Sequence, residues 1–123
     1  MSSRVNHFKT IPALAKTLAD ASMALGKISL DKKLKHLVDI RASQLNHCAF
    51  CLDMHVKEAK IHGERELRIY HVAIWRESPL FSAKEKAALA LTEALTRIGD
   101  NGVSEALYNE LREHFSEVEV SEL

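Results

Sequence analysis

Cysteine, proline and glycine are all scarce in this chain of 123 residues, at two, two and four. So few turn-formers leave little room for the closely spaced hairpins of an all-β fold and favour helices joined by short turns. An excess of either charge is missing too. Basic and acidic residues number 17 each, and no segment gathers one sign, so nothing here is built to hold nucleic acid or an anionic membrane. No apolar run is long enough to cross a bilayer, and Met1 to Thr10 lacks the apolar centre of a signal peptide. A cytoplasmic location is the resulting expectation. With no internal repeat, low-complexity tract or linker, residues 1–123 read as one domain that buries a modest core.

What is present is helical patterning, and it predicts a bundle of about six helices. The first begins near Pro12, a tolerated first-turn position, and stops around Gly26. Ser29 or Asp31 caps the second, on which Leu34, Leu37, Val38, Ala42 and Leu45 form an apolar stripe. Asn46 and His47 mark a break before a cysteine-bearing helix that ends near Gly63, and a fourth helix runs from about Arg65 to Trp75. Ser82 and Glu85 form a capping-box pattern at the head of the fifth, and the sixth covers roughly Ser104 to His114. A second capping-box pattern at Ser116 and Glu119, with the chain ending at Leu123, predicts a last segment either frayed or docked on another subunit. Phe50, Tyr70 and Trp75 read as core or pocket rim.

Both cysteines lie in the stretch Cys48-Ala49-Phe50-Cys51-Leu52-Asp53-Met54-His55. If residues 48–62 form one helix, Cys48, Cys51, His55 and Ala59 recur at spacings of three and four and share a face. The thiolate is the nucleophile, and a free cysteine with a pKa of about 8.5 is mostly protonated near neutrality. The positive end of a helix dipole and a nearby imidazole both favour ionisation. Cys51 precedes His55 by one turn and is the better attacking thiol, which leaves Cys48 as its disulfide partner. In a reducing compartment such a pair is more often redox-active or metal-binding than a static staple.

The run LVDIRASQLNHCAFCLDMHVKEAKIHGE resembles the core motif of the alkylhydroperoxidase D-like branch of the carboxymuconolactone decarboxylase family, and WRESPLFSAKEKAALALTEAL resembles that family's next block. Together they cover most of the chain from Leu34 to about Leu95. The resemblance implies an all-α fold assembled as homotrimers or homohexamers, and reduction of hydroperoxides without a cofactor or metal. It also implies roles: Cys51 attacks the peroxide, Cys48 resolves the sulfenic acid to a disulfide, His55 belongs to a proton relay, and an external dithiol or lipoyl-bearing protein reduces the pair. Two positions depart from the family pattern. His36 stands where a glutamate of the relay is usual, twelve residues before Cys48, and Phe50 stands where some members carry a histidine. His36 is then a candidate base, and Asp39, one turn on, a candidate to orient His55 or His36. The pattern also commonly continues into a further apolar helix.

Three other possibilities use the same residues. A zinc site would take Cys48, Cys51, His55 and His36 or His62, although ligands at i, i+3 and i+7 of one helix do not readily converge on a tetrahedral ion. A helical oligomer could keep the fold without turnover, and a disulfide reductase could keep the thiol pair with an altered relay. Asp53, His47 and His62 read as ordinary polar positions, and Lys57, Glu58, Lys60 and Glu64 as a charged helix face.

Overall fold

A computed structural model describes residues 4–123, and the described residues contain no strand. Among them are eight α-helices: α1 His7–Thr10, α2 Pro12–Ala24, α3 Lys32–Leu45, α4 Ala49–Ile61, α5 Glu66–His71, α6 Ala83–Thr96, α7 Glu105–His114 and α8 Glu117–Glu122. All six expected helices are present, and the short α1 and α8 make up the difference.

Local caps account for most of the boundaries. Pro12 opens α2, where its missing N–H has no intrahelical partner to lose. Of Ser29 and Asp31, it is Asp31 that caps α3, its carboxylate accepting the Leu34 N–H at 2.9 Å. Ser82 with Glu85 and Ser116 with Glu119 each close a reciprocal capping box. The segment expected to be frayed or docked on another subunit is thus a formed helix, and Glu119 also lies 3.6 Å from Lys84 of α6. The expected fourth helix is α5 only as far as His71. It then tightens into a 3₁₀ turn over Val72–Ile74, and Trp75 behind it is buried while Phe50 and Tyr70 are exposed.

The chain divides into two compact units, the residues up to Ser29 together with Glu122, and the remainder. In the first, Phe8, Ile11, Ala15 and Leu18 line an open apolar cavity of about 530 Å³. The second holds the cysteines and the core cluster of Leu37, Ile40, Ala59, Ile69, Val72, Trp75, Phe81 and Leu89. Each such large side chain, fully buried, contributes roughly 1.5–3 kcal/mol relative to exposure. Helix α3 packs against both α4 and α6. Its buried arc is therefore wider than one apolar stripe. Leu34 and Leu37 are inside as expected, Val38, Ala42 and Leu45 are only half-buried, and Ile40, His36 and Ser43 are buried as well.

Two charged hubs tie these helices together. Arg68 on α5 donates to Glu64 at 2.8 Å, to Glu85 of α6 and to the Leu80 carbonyl, and stacks over the Phe81 ring at 5.0 Å. Glu93 of α6 accepts from Trp75 Nε1 at 2.8 Å, from Arg41 Nε of α3 at 2.9 Å and from Arg76 at 2.8 Å. Burial alone would raise the Glu93 pKa, but the three donors outweigh it and hold the carboxyl below its ordinary range.

Candidate active site

The cysteines are placed by the turn that ends α3. Its closing carbonyls are satisfied in a double bond pattern, with His47 N–H donating to Gln44 O at 3.2 Å and Cys48 N–H to Ser43 O at 3.1 Å. That pattern needs a left-handed residue, and His47 takes the role at φ 53° without the freedom of a glycine. Cys48 emerges in extended conformation (φ −92°, ψ 95°) as the N-cap of α4, its Sγ accepting the Cys51 N–H at 3.3 Å. The expectation that Cys48 lies inside one helix with Cys51, His55 and Ala59 is thereby corrected. The cap that closes α3 delivers Cys48 just ahead of the first turn of α4. Cys48 and Cys51 are joined in a disulfide with their Cα atoms 5.3 Å apart, a separation that a disulfide spans readily. Beside it, Ser43, Gln44, His47, Cys48, Ala49 and Leu52 line an open cavity of about 390 Å³.

His55 follows Cys51 by one turn of α4, so ring and sulfur share a helix face. Its Nδ1 lies 3.2 Å from Glu58 Oε2 and 3.6 Å from Asp39 Oδ2. Ionised carboxylates only accept, so Nδ1 carries the proton and Nε2 is the free basic nitrogen. Asp39 is shared with Lys35, its neighbour one turn back on α3. Of the two histidines that Asp39 was expected to orient, His55 is the one within ion-pair range, at a distance too long for a hydrogen bond.

His36 is buried, and its partner is another imidazole. Its Nε2 lies 2.9 Å from His62 Nδ1, the two rings are stacked with centroids 4.8 Å apart, and His62 Nδ1 is also 2.9 Å from the Glu58 carbonyl oxygen. His36 Nδ1 is buried with no hydrogen-bond partner. Burial, followed by the neighbouring His62, lowers the His36 pKa against the opposing pull of Glu58 and Asp39, so the ring is neutral near pH 7. His62 is held in place by the end of α4, where Gly63 turns left-handed at φ 81° and Glu64 N–H reaches back to Ala59 O at 2.9 Å.

The model of the carboxymuconolactone decarboxylase family matches residues 12–94, more than half of the chain. The uncharacterized protein YdfG of Bacillus subtilis (strain 168) is 39% identical over 123 residues, spanning all of this chain and 84% of its own length. This chain belongs to the carboxymuconolactone decarboxylase family. The uncharacterized protein YnjA of Escherichia coli (strain K12) is 37% identical over 95 residues, 76% of this chain and 51% of YnjA. Among solved structures, a protein of unknown function from Agrobacterium tumefaciens, ATU0492, matches with a TM-score of 0.90 and 36% identity over 98% of this chain and 83% of that one. Its name carries the suggestion of an antioxidant defence protein, AhpD. The all-helical alkylhydroperoxidase D-like fold expected from the motif is the fold observed.

In this family member, then, the Cys48–Cys51 disulfide lies at the head of α4 with His55 one turn on, while the His36 ring pairs with His62. Two polar neighbours read as ordinary positions in the sequence, Glu58 in a charged helix face and His62 as at most an alternative zinc ligand, and they contact His55 and His36 respectively. The signal was there in part: His55, Glu58 and His62 fall at spacings of three and four on one face of α4. Among the described residues, no group of three or more His, Cys, Asp or Glu side chains is arranged to hold a metal ion.

Proposed function

We propose that this protein is a thiol-dependent peroxidase that reduces alkyl hydroperoxides, with Cys51 as the attacking thiol, Cys48 as the resolving thiol and His55 as the acid–base group. The observation that carries this reading is the Cys48–Cys51 disulfide at the head of α4, one turn before a histidine whose Nδ1 is engaged by carboxylates and whose Nε2 is basic. In the reduced protein Cys51 gives its proton to His55, and the thiolate attacks one peroxide oxygen. The O–O bond breaks, Cys51 becomes a sulfenic acid, and the departing alkoxide takes the proton back and leaves as an alcohol. The Cys48 sulfur then attacks the sulfenic sulfur, water leaves, and the disulfide closes. Sulfur carries both electrons, so the cycle needs neither metal nor flavin.

An external dithiol, free or on a lipoyl-bearing protein, restores the pair. The cavity beside Cys48 supports entry at that sulfur, with Cys51 leaving as thiolate. His36 occupies the relay position where the family pattern has glutamate. Assembly as a homotrimer or homohexamer is supported by the apolar side chains that α4 leaves in solvent, Phe50, Met54 and Ile61. A cytoplasmic setting suits a pair that must be reduced after each turnover.

The test compares two variants in consumption of an organic hydroperoxide under excess dithiol. Cys51→Ser should abolish turnover. Cys48→Ser should form one trappable sulfenic acid and then stall. Turnover retained in Cys51→Ser would sink the assignment of roles. A disulfide reductase is the second reading, favoured by the same cavity at Cys48. It predicts free dithiol–disulfide exchange with no consumption of peroxide.

A further inference from the structure

Among the described residues, His47 is the one non-glycine residue with a positive φ, and the two other left-handed positions, Gly63 and Gly102, are glycines. The turn that closes α3 requires that conformation, and a glycine would adopt it with less strain. An imidazole held where glycine fits the backbone better implies a use for the ring. Its surroundings narrow that use. His47 is exposed, and it lines the open cavity beside the disulfide together with Ser43, Gln44, Cys48, Ala49 and Leu52. Apart from Cys48 itself, none of the other lining side chains gives or takes a proton near neutral pH. Neither Cys51 nor His55 lines this cavity, and His55 is turned to Glu58 and Asp39. The two sulfurs therefore have different acid–base neighbours, His55 one turn after Cys51 and His47 in the cavity with Cys48.

We propose that His47 is the acid–base group of the reductive half of the cycle, taking the proton of a dithiol that enters the cavity to attack Cys48 and returning it when Cys48 leaves. This rests on the peroxidase reading, in which the disulfide must be reduced after every turnover. The thiolate is the attacking form, a thiol is mostly protonated near neutrality, and imidazole is the side chain that exchanges a proton in that range. In the first exchange the donor's sulfur passes its proton to His47 and bonds to Cys48 Sγ. The Cys48–Cys51 bond breaks, and its electron pair leaves on Cys51 as thiolate. The donor's second thiol then attacks the donor sulfur held on Cys48. Cys48 leaves with that electron pair and takes the proton back from His47, while the second thiol's proton passes through water to Cys51. The donor ends as a disulfide, oxidised by two electrons, and both cysteines end as thiols.

The reductive half is measured alone. Wild type, His47→Gly and His47→Asn are prepared as the disulfide and mixed with excess dithiothreitol, without peroxide and without oxygen, and the appearance of protein thiols is followed from pH 6 to 9.5. Glycine suits the left-handed turn and asparagine tolerates it, so both variants should fold, and His47→Gly should unfold in urea at a midpoint no lower than wild type. Near pH 7 both should be reduced roughly tenfold more slowly, a small factor for a lost base because water replaces an exposed ring in part. Their rates should climb about tenfold per pH unit with the donor's thiolate fraction, and the gap to wild type should close by pH 9.5, where the thiolate needs no base. Variants reduced at the wild-type rate near pH 7 overturn the proposal. So do variants slower by one constant factor at every pH, the result of a role confined to shaping the turn. A wild type that shows the predicted difference from its variants yet leaves cumene hydroperoxide intact overturns the peroxidase reading instead, and His47 keeps its role in disulfide exchange.

Discussion

The Arg68 and Glu93 hubs and the histidine seam between α3 and α4 are both made of half-buried polar side chains, and they are built in opposite ways. At the hubs, each charge meets an opposite charge or a fixed donor, and Arg68 alone reaches two carboxylates, a carbonyl and an aromatic face. In the seam, His36 leaves a nitrogen unpaired, and His55 makes one 3.2 Å and one 3.6 Å approach to carboxylates. Satisfied networks fix helices in place, whereas an unpaired buried polar group costs stability. Under the proposed function, stability and proton chemistry would separate by region.

Removing Arg68 is the harshest way to break the first half of that contrast. Arg68→Ala leaves Glu64, whose side chain is only 3% exposed, beside Glu85 with no cation, and should destabilise the fold by about 4 kcal/mol in urea unfolding. Glu93→Gln should cost about 2 kcal/mol, since two arginines and Trp75 Nε1 lose a charged acceptor. Its pH signature is definite. The Glu93 pKa is depressed in the fold, so the stabilisation is present above the carboxyl's unfolded pKa and is lost as pH falls through the folded one. The gap between wild type and Glu93→Gln should close under acid.

The seam should respond with the opposite sign. His36→Leu removes a buried unpaired nitrogen and should stabilise the protein by about 1 kcal/mol at pH 7 while slowing peroxide-driven thiol oxidation. Because the folded His36 pKa is lowered, protons bind the unfolded ring first, and wild-type stability should fall as pH drops below the ordinary histidine value of about 6.5. In His36→Leu that part of the slope should vanish. A His36→Leu protein less stable than wild type at pH 7 would blur the contrast.

Helix boundaries were legible in the sequence wherever a cap is local, as with Pro12, Asp31 and the Ser82–Glu85 box, because those bonds join residues within one turn. The motif also brought out the cysteine pair and His55, which sit together for the same short-range reason. Cys48 was misplaced, since whether it joins α4 depends on how the Ser43 and Gln44 carbonyls of the preceding helix are closed. Ile40 and Ser43 were missed because their burial comes from α4 and α6 both packing on α3. The His36–His62 contact spans 26 positions and exists only through the packing of α3 on α4, so no local pattern announces it.

The most direct test of the account is to add a substoichiometric amount of cumene hydroperoxide to the fully reduced protein and count thiols, intact mass and alcohol formed. Two thiols lost per hydroperoxide, a mass lower by two hydrogens and one alcohol released are the predicted result. Peroxide left intact, with both thiols of every chain still titratable, would contradict the assignment of Cys48 and Cys51 to peroxide reduction.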